Sequence, residues 1–314
     1  MSTTADTPRT AGLRERATAL ATSARARPAS LAWLAAGVAA LTIVSLVLRT
    51  RALDAAFWID EGLSVGIASY GLLDIPGVLE QDGSPPLYYL LLHVWMELFG
   101  DSEEATHSLS VVFALGSVPA AFWAARTLFG ARAGWLAAAL AAINPFLTFY
   151  AQETRMYALV ALLGLLTSAT FLRVFVDRDR RLLPAFTLVL TLLIYTHNWG
   201  LFLATGTVFA LAWLWRTAGP DERRPLLRDA LIGYGAAAVA YLPWLPTLLF
   251  QAQHTGAPWA ERPGLHELII AVGILLGGAT TGIATLLIAG NGLAGLVRDM
   301  TPAGRRTAAL IILT

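Results

Sequence analysis

Apolar runs of up to about twenty residues, separated by short stretches that collect arginine, constrain this chain more than any other feature. Away from water such a run can satisfy its own backbone only as a helix, so a chain made of many of them folds as a membrane-crossing bundle. The runs fall at residues 31–48, 105–128, 133–150, 156–176, 182–195, 199–215, 230–250 and 268–288, with a shorter one at 87–99 and another starting at 308–314. Only 14% of the residues are charged and 56% are hydrophobic, against about 25% charged in a soluble domain. The expected fold class is all-α: a polytopic transmembrane helical bundle whose first extracytoplasmic loop, residues 49–85, carries short amphipathic helices. Leu63, Ile67, Tyr70 and Leu73 in that loop recur at helical spacing, as suits a helix lying on the membrane surface.

Arginine placement sets the orientation. All 22 basic residues are arginine, and 18 of them lie in the first 30 residues, the turn at Arg126 and Arg132, and the segments 173–181, 216–228 and 298–306. Reading these as cytoplasmic satisfies the positive-inside rule and leaves only Arg49, Arg51, Arg155 and Arg262 on the other side. Residues 49–84, 151–155, 196–198 and 251–267 then share one extracytoplasmic face. Between Ser84 and Arg126 the topology needs an odd number of crossings although two apolar runs are present; the short run 87–99 is a candidate partial span, and the sequence leaves the parity open. Residues 1–30, poor in large apolar side chains, read as a disordered basic cytoplasmic tail; residues 31–314 read as one transmembrane domain, expected to be shortened at its C-terminus. Arg49-Thr50-Arg51 follows the first run where a cleavage site would need small residues, so that run reads as a retained anchor. The sequence has no cysteine, which excludes thiolate chemistry and disulfides.

Polar groups gather in the outer segments. Asp60 and Glu61 adjoin Phe57, Trp58 and Ile59, an apolar setting that raises a carboxylate's pKa and suits it to proton abstraction. Being adjacent, the two acids point in different directions and can hold different roles. Asp82 and Ser84 precede Pro85, Pro86, Leu87, Tyr88 and Tyr89; Ser84 is a candidate N-cap, and the free amides of the helix start would suit a phosphate. Gln152, Glu153 and Arg155 crowd a short inter-helix turn, where the planar guanidinium could pair with Glu153 or with a phosphate. His197 lies on the same face, and Trp259, in the stretch QAQHTGAPWAERP, suits either stacking on a sugar or anchoring at the interface. Each group alone also fits a plain structural role: a solvated acid pair, a capped helix, an ion-paired turn, an interfacial Trp. Adjacent Asp and Glu without a ligating histidine pattern make a poor metal signature, so no cofactor is expected, although a divalent cation would be chemically compatible.

Taken together, Asp60-Glu61, Asp82 with Pro-Pro-Leu-Tyr-Tyr, Leu128-Phe129-Gly130 with Arg132-Ala133-Gly134, and Tyr150-Ala151-Gln152-Glu153-Thr154-Arg155-Met156-Tyr157 resemble the membrane glycosyltransferases of the C-type fold. The resemblance, running from about residue 31 to 263, is to the group of protein O-mannosyltransferases, the lipid A aminoarabinose transferase and the rhizobial galacturonosyl transferases. It implies a polyprenyl-phosphate sugar as donor, a membrane-lipid setting, an acceptor of unknown kind outside a bacterial cytoplasmic membrane, no nucleic-acid partner, and an acid of the first outer loop as general base, here Asp60 beside Glu61. Relatives often carry His or Lys just before the Pro-Pro pair, where this chain has Ser84; Arg155 is the cation available in its place, and His107 stands where a basic residue commonly opens the next long helix. A transporter or lipid flippase is the alternative from another class, opposed by acids that cluster at one interface and by the lack of interrupted helix pairs in repeated halves. A catalytically incomplete scaffold is the third reading.

Overall fold

The computed structural model describes residues 31–255, 264–275 and 301–313. The tail 1–30, Trp259 and Arg262 lie outside the described residues. Every regular element among the described residues is helical, which makes the fold an all-α polytopic bundle. In chain order the helices are α1 (Leu31–Arg49), α2 (Ile59–Ala68), α3 (Ile75–Asp82), α4 (Leu87–Phe99), α5 (Glu103–Phe129), α6 (Ala131–Ile143), α7 (Pro145–Tyr150), α8 (Tyr157–Phe171, extended by a π turn, Leu172–Val176), α9 (Leu183–Thr196), α10 (Trp199–Thr217), α11 (Pro220–Tyr241), α12 (Leu245–His254), α13 (Leu265–Leu275) and α14 (Pro302–Leu313).

Leu31–Arg49, Glu103–Phe129 and Tyr157–Val176 are long and apolar enough to cross a membrane, and α11 with α12 would form a fourth span bent by 69°. The two apolar helices between Ser84 and Arg126 differ in length. At 1.5 Å per residue α5 reaches about 40 Å, whereas the 13 residues of α4 reach only about 20 Å, short of a hydrocarbon core of about 30 Å.

Two apolar runs that read as continuous are broken. Residues 133–150 divide at Asn144-Pro145: Asn144 takes an extended backbone and its side chain accepts from the Leu147 amide, capping α7. Residues 230–250 divide at Leu242-Pro243-Trp244, which separates α11 from α12. Pro145 has no N–H, so the Ala141 carbonyl loses its helical partner. Arg49, fully buried at the end of α1, supplies a replacement: its Nη2 donates to Ala141 O at 2.7 Å, and its Nη1 donates to Ala114 O at 3.0 Å and to Ser45 Oγ. One of the four arginines on the wrong side of the charge rule is thus a tie between α1, α5 and α6.

Helix α5 sits at the centre, with α6 folded back on it and α8 on another flank; α9 packs on α8, α11 on α9, and α14 on α10. The reversal from α5 to α6 uses Gly130 at φ 96°, and Gly134 lets α6 approach until an added Cβ would lie 2.7 Å from Arg126 Cβ. Phe171, Phe175, Phe186 and Tyr234 fill the space between α8, α9 and α11; Phe186 meets Phe175 and Tyr234 at 5.3 Å in edge-to-face contacts.

Candidate functional site

The outer segments converge as the charge rule implied. Asn198 Nδ2 at the α9–α10 junction donates to Gly83 O at 3.0 Å, and Gln251 Nε2 on α12 donates to Leu79 O at 2.8 Å. Gly83 ends α3 at φ 98°, where an added methyl group would be strained and 3.1 Å from Thr255 Oγ1. These bonds tie the loop before α4 to both later outer junctions.

At the centre of this layer Arg155 reaches α2. Its Nη2 lies 3.8 Å from Asp60 Oδ2, and its Nη1 donates to Asp60 O at 3.2 Å and Ser64 Oγ at 3.1 Å. Asp60 and Ser64 are four residues apart on α2, so one helix face presents both. The Arg155 side chain is 13% exposed and that of Asp60 39%, which leaves the acid open to an incoming ligand. Arg155 also lies over the Tyr157 ring, 5.8 Å from its centre.

Glu61 does not share that opening. Expected to act beside Asp60, it is buried: Oε1 accepts from the Thr154 amide at 2.7 Å and faces His107 Nε2 at 2.8 Å, while Oε2 accepts from the Trp58 amide at 3.1 Å. The 100° turn between neighbours on α2 sends one acid outward and the other into the bundle. Both nitrogens of His107 face oxygen, Glu61 Oε1 and Leu53 O at 2.7 Å, so the ring makes both bonds only as imidazolium or when Glu61 carries a proton. Thr154 adds an Oγ1 bond to Thr106 at 2.9 Å. Glu61 thus fixes the turn that carries Arg155 to the start of α2.

The remaining residues divide in the same way. Tyr88 is a core residue, with its hydroxyl 3.5 Å from Ser110 Oγ, and Ser110 in turn donates to Arg155 O at 3.2 Å. Tyr88, expected as a substrate contact, packs behind the turn. Its neighbour Tyr89 takes the other direction, with a buried hydroxyl beside Ser64, Ser84, Arg155 and Asp82 that makes no completed hydrogen bond. Ser84 does not cap α4; Pro86 holds the flanking position and no side chain caps that helix. Asp82 is exposed at the end of α3. Gln152 reaches back to Leu48 O at 3.4 Å, a long contact.

Glu153 is half-buried with Oε2 unpartnered, and Arg155 meets it only through its backbone, N to O at 2.8 Å. Burial first, then the charge of Glu61, raises the Glu153 carboxyl to about 7, with Arg155 opposing. His197 lies tilted against Trp199 at 4.7 Å and Tyr157 at 6.2 Å, and its Nδ1 accepts from the Trp199 amide at 3.0 Å. Burial, with Arg155 nearby, lowers it to about 4 and keeps it a neutral acceptor at that nitrogen. Beside these rings an apolar cavity of about 180 Å³ runs between α5, α7, α8 and α10, lined by Phe146, Leu147, Tyr150, Tyr157, Ala161 and Trp199. Among the described residues no cluster of three or more His, Asp or Glu is arranged to hold a metal ion.

Sequence reading missed Ser64, Tyr89 and Asn198. The four-residue spacing of Asp60 and Ser64 was a usable signal for the first. The other two depend on contacts between distant segments.

These helices and this outer layer define a polytopic helical fold of the C type. A solved structure of ArnT from Cupriavidus metallidurans in the apo state has the same fold, with a TM-score of 0.63 at 18% identity, over 91% of this chain and 54% of that one. The chain spans about half the length of that protein. No family model matches the chain, and no curated protein does.

Proposed function

We propose that this chain is a membrane glycosyltransferase that moves a sugar from a polyprenyl-phosphate donor to an acceptor hydroxyl of the cell envelope, at the outer face of a bacterial cytoplasmic membrane. The observation that carries this reading is the convergence of Asp60 and Arg155 at 3.8 Å, beside an apolar cavity. The likeness in fold to ArnT, an aminoarabinose transferase, supports it.

In this reading Asp60 takes the proton of the acceptor hydroxyl, whose oxygen then attacks the anomeric carbon from the side opposite the phosphate. The bond from that carbon to the phosphate oxygen breaks, and polyprenyl phosphate departs with the electron pair. Arg155 and the amides that open α4 hold the developing negative charge. The arriving phosphate also competes with Asp60 for Arg155, which frees the carboxylate as the substrate settles. The cavity of Tyr150, Tyr157 and Trp199 receives the first part of the isoprenoid tail. Glu153 and the neutral His197 contact the sugar, while Glu61 positions Arg155 from behind. No cofactor beyond the lipid-linked donor enters the scheme.

The test is incubation of purified protein with a panel of labelled polyprenyl-phosphate sugars and envelope acceptors. Release of polyprenyl phosphate that depends on Asp60 supports the assignment. Exchange of the lipid across vesicles without loss of its sugar would instead identify a flippase.

A further inference from the structure

The arginine-rich face carries a second site, remote from Asp60. Asp229 on α11 is fully buried and faces three guanidiniums: Arg180 Nε at 2.9 Å, Arg178 Nη2 at 3.3 Å and Arg228 Nε at 3.5 Å. A small cavity of about 50 Å³ opens beside this cluster, walled by Arg178, Arg305, Thr217, Glu222, Leu214 and Leu226. Two arginines and one carboxylate line the cavity, Arg178 and Arg305 against Glu222, an excess of positive charge. Arg178 Nη1 is buried and has no partner among the described residues, and Arg178 holds a left-handed backbone, φ 62°, without being glycine.

An apolar groove of about 350 Å³ lies between α10 and α11, lined by Val208, Leu211, Trp215, Leu226 and Leu227, and shares the Leu226 wall with the cavity. Arg223 sits over Trp215, 5.2 Å from its ring centre, at the polar end of that groove. A cationic cavity next to an acyl-sized apolar groove matches the two halves of one molecule. We propose that an anionic glycerophospholipid binds here, its phosphate between Arg178 and Arg305 and one chain along Leu211, Trp215 and Leu227. Basic pockets between helices on this side of a membrane suit lipid phosphates, at about 1 kcal/mol per arginine near the surface. The proposal is independent of the transfer reaction.

The experiment is native mass spectrometry of the detergent-purified chain titrated with dioleoylphosphatidylglycerol, dioleoylphosphatidylcholine or inorganic phosphate. Saturable phosphatidylglycerol binding should weaken about fivefold for each of Arg178→Gln and Arg305→Gln. Arg305 is exposed, so its replacement leaves the packing intact. Glu222→Gln should tighten binding by removing a like charge. Undiminished phosphatidylglycerol binding in the double Arg178→Gln/Arg305→Gln variant would overturn the proposal. So would equal binding of phosphatidylcholine, or inorganic phosphate displacing the lipid at equal concentration, which would mark a site for the free ion.

Discussion

Arg155 Nη2 and Asp60 Oδ2 stand 3.8 Å apart, although they are 95 positions apart in the chain and a helix long enough to cross a membrane, α5, lies between them. At that distance the two charges attract without a completed hydrogen bond between them, and the guanidinium spends its bonds on Asp60 O and Ser64 Oγ instead. The acid keeps its lone pairs for something else.

On the proposed reaction, replacing Asp60 by Asn should cost transfer about 10²- to 10⁴-fold, the range for loss of a positioned base. Its side chain is 39% exposed and no buried bond depends on it, so the variant should insert and melt like the parent. Steady-state release of polyprenyl phosphate, paired with a thermal melt in detergent, checks both halves.

Arg155→Lys keeps the charge but gives up the planar guanidinium, in which Nη1 bonds Asp60 O and Ser64 Oγ while Nη2 stands by Asp60 Oδ2. The donor KM should rise at least about tenfold, the cost of one lost charge-assisted contact, with a smaller change in the KM for acceptor. Equal effects on both substrates would argue against a phosphate role.

Glu61→Ala should destabilise the fold by about 1–3 kcal/mol for each buried donor left without an acceptor, because His107 and the Thr154 amide both lose theirs. Glu61→Gln keeps an acceptor oxygen and should fall in between. Chemical unfolding followed by tryptophan fluorescence reads the order.

Two groups give opposite pH slopes. Glu153, raised to about 7, stabilises the fold below its ordinary value near 4.5 and loses that contribution as pH climbs through 7. His197, lowered to about 4, contributes above its ordinary 6.5 and loses the contribution as pH falls towards 4. Glu153→Gln should thus leave a melting temperature that rises with pH between about 4 and 6.5, and His197→Gln one that falls between about 4.5 and 7.

The sequence made the convergence legible because charge balance sorts segments between membrane faces without reference to packing. Arg155 was visible as a cation on the wrong side, beside polar residues that a turn does not need. Arg49 had the same signature and a different reason: it answers the carbonyl orphaned by Pro145, a role that appears only when α1 lies against α6. The breaks at Asn144-Pro145 and at Pro243 were written in the residues, yet the apolar runs around them concealed two helices each. The choices between Asp60 and Glu61, and between Tyr88 and Tyr89, could not be made from pattern. Neighbours on a helix differ by 100°, and which one faces inward depends on where α5 and the 151–156 turn sit.

Glu61 also imposes an order on biogenesis. The ribosome delivers α2 long before residue 154, so the carboxylate leaves the translocon with only the neighbouring Trp58 amide to meet it. His107 arrives with α5, and the Thr154 amide arrives only after α6 and α7 have followed. Until then burying the acid would be costly, so a nascent chain halted before that turn keeps residues 50–68 hydrated, and closure of Glu61 against the 151–156 turn marks the completed placement of the helices between.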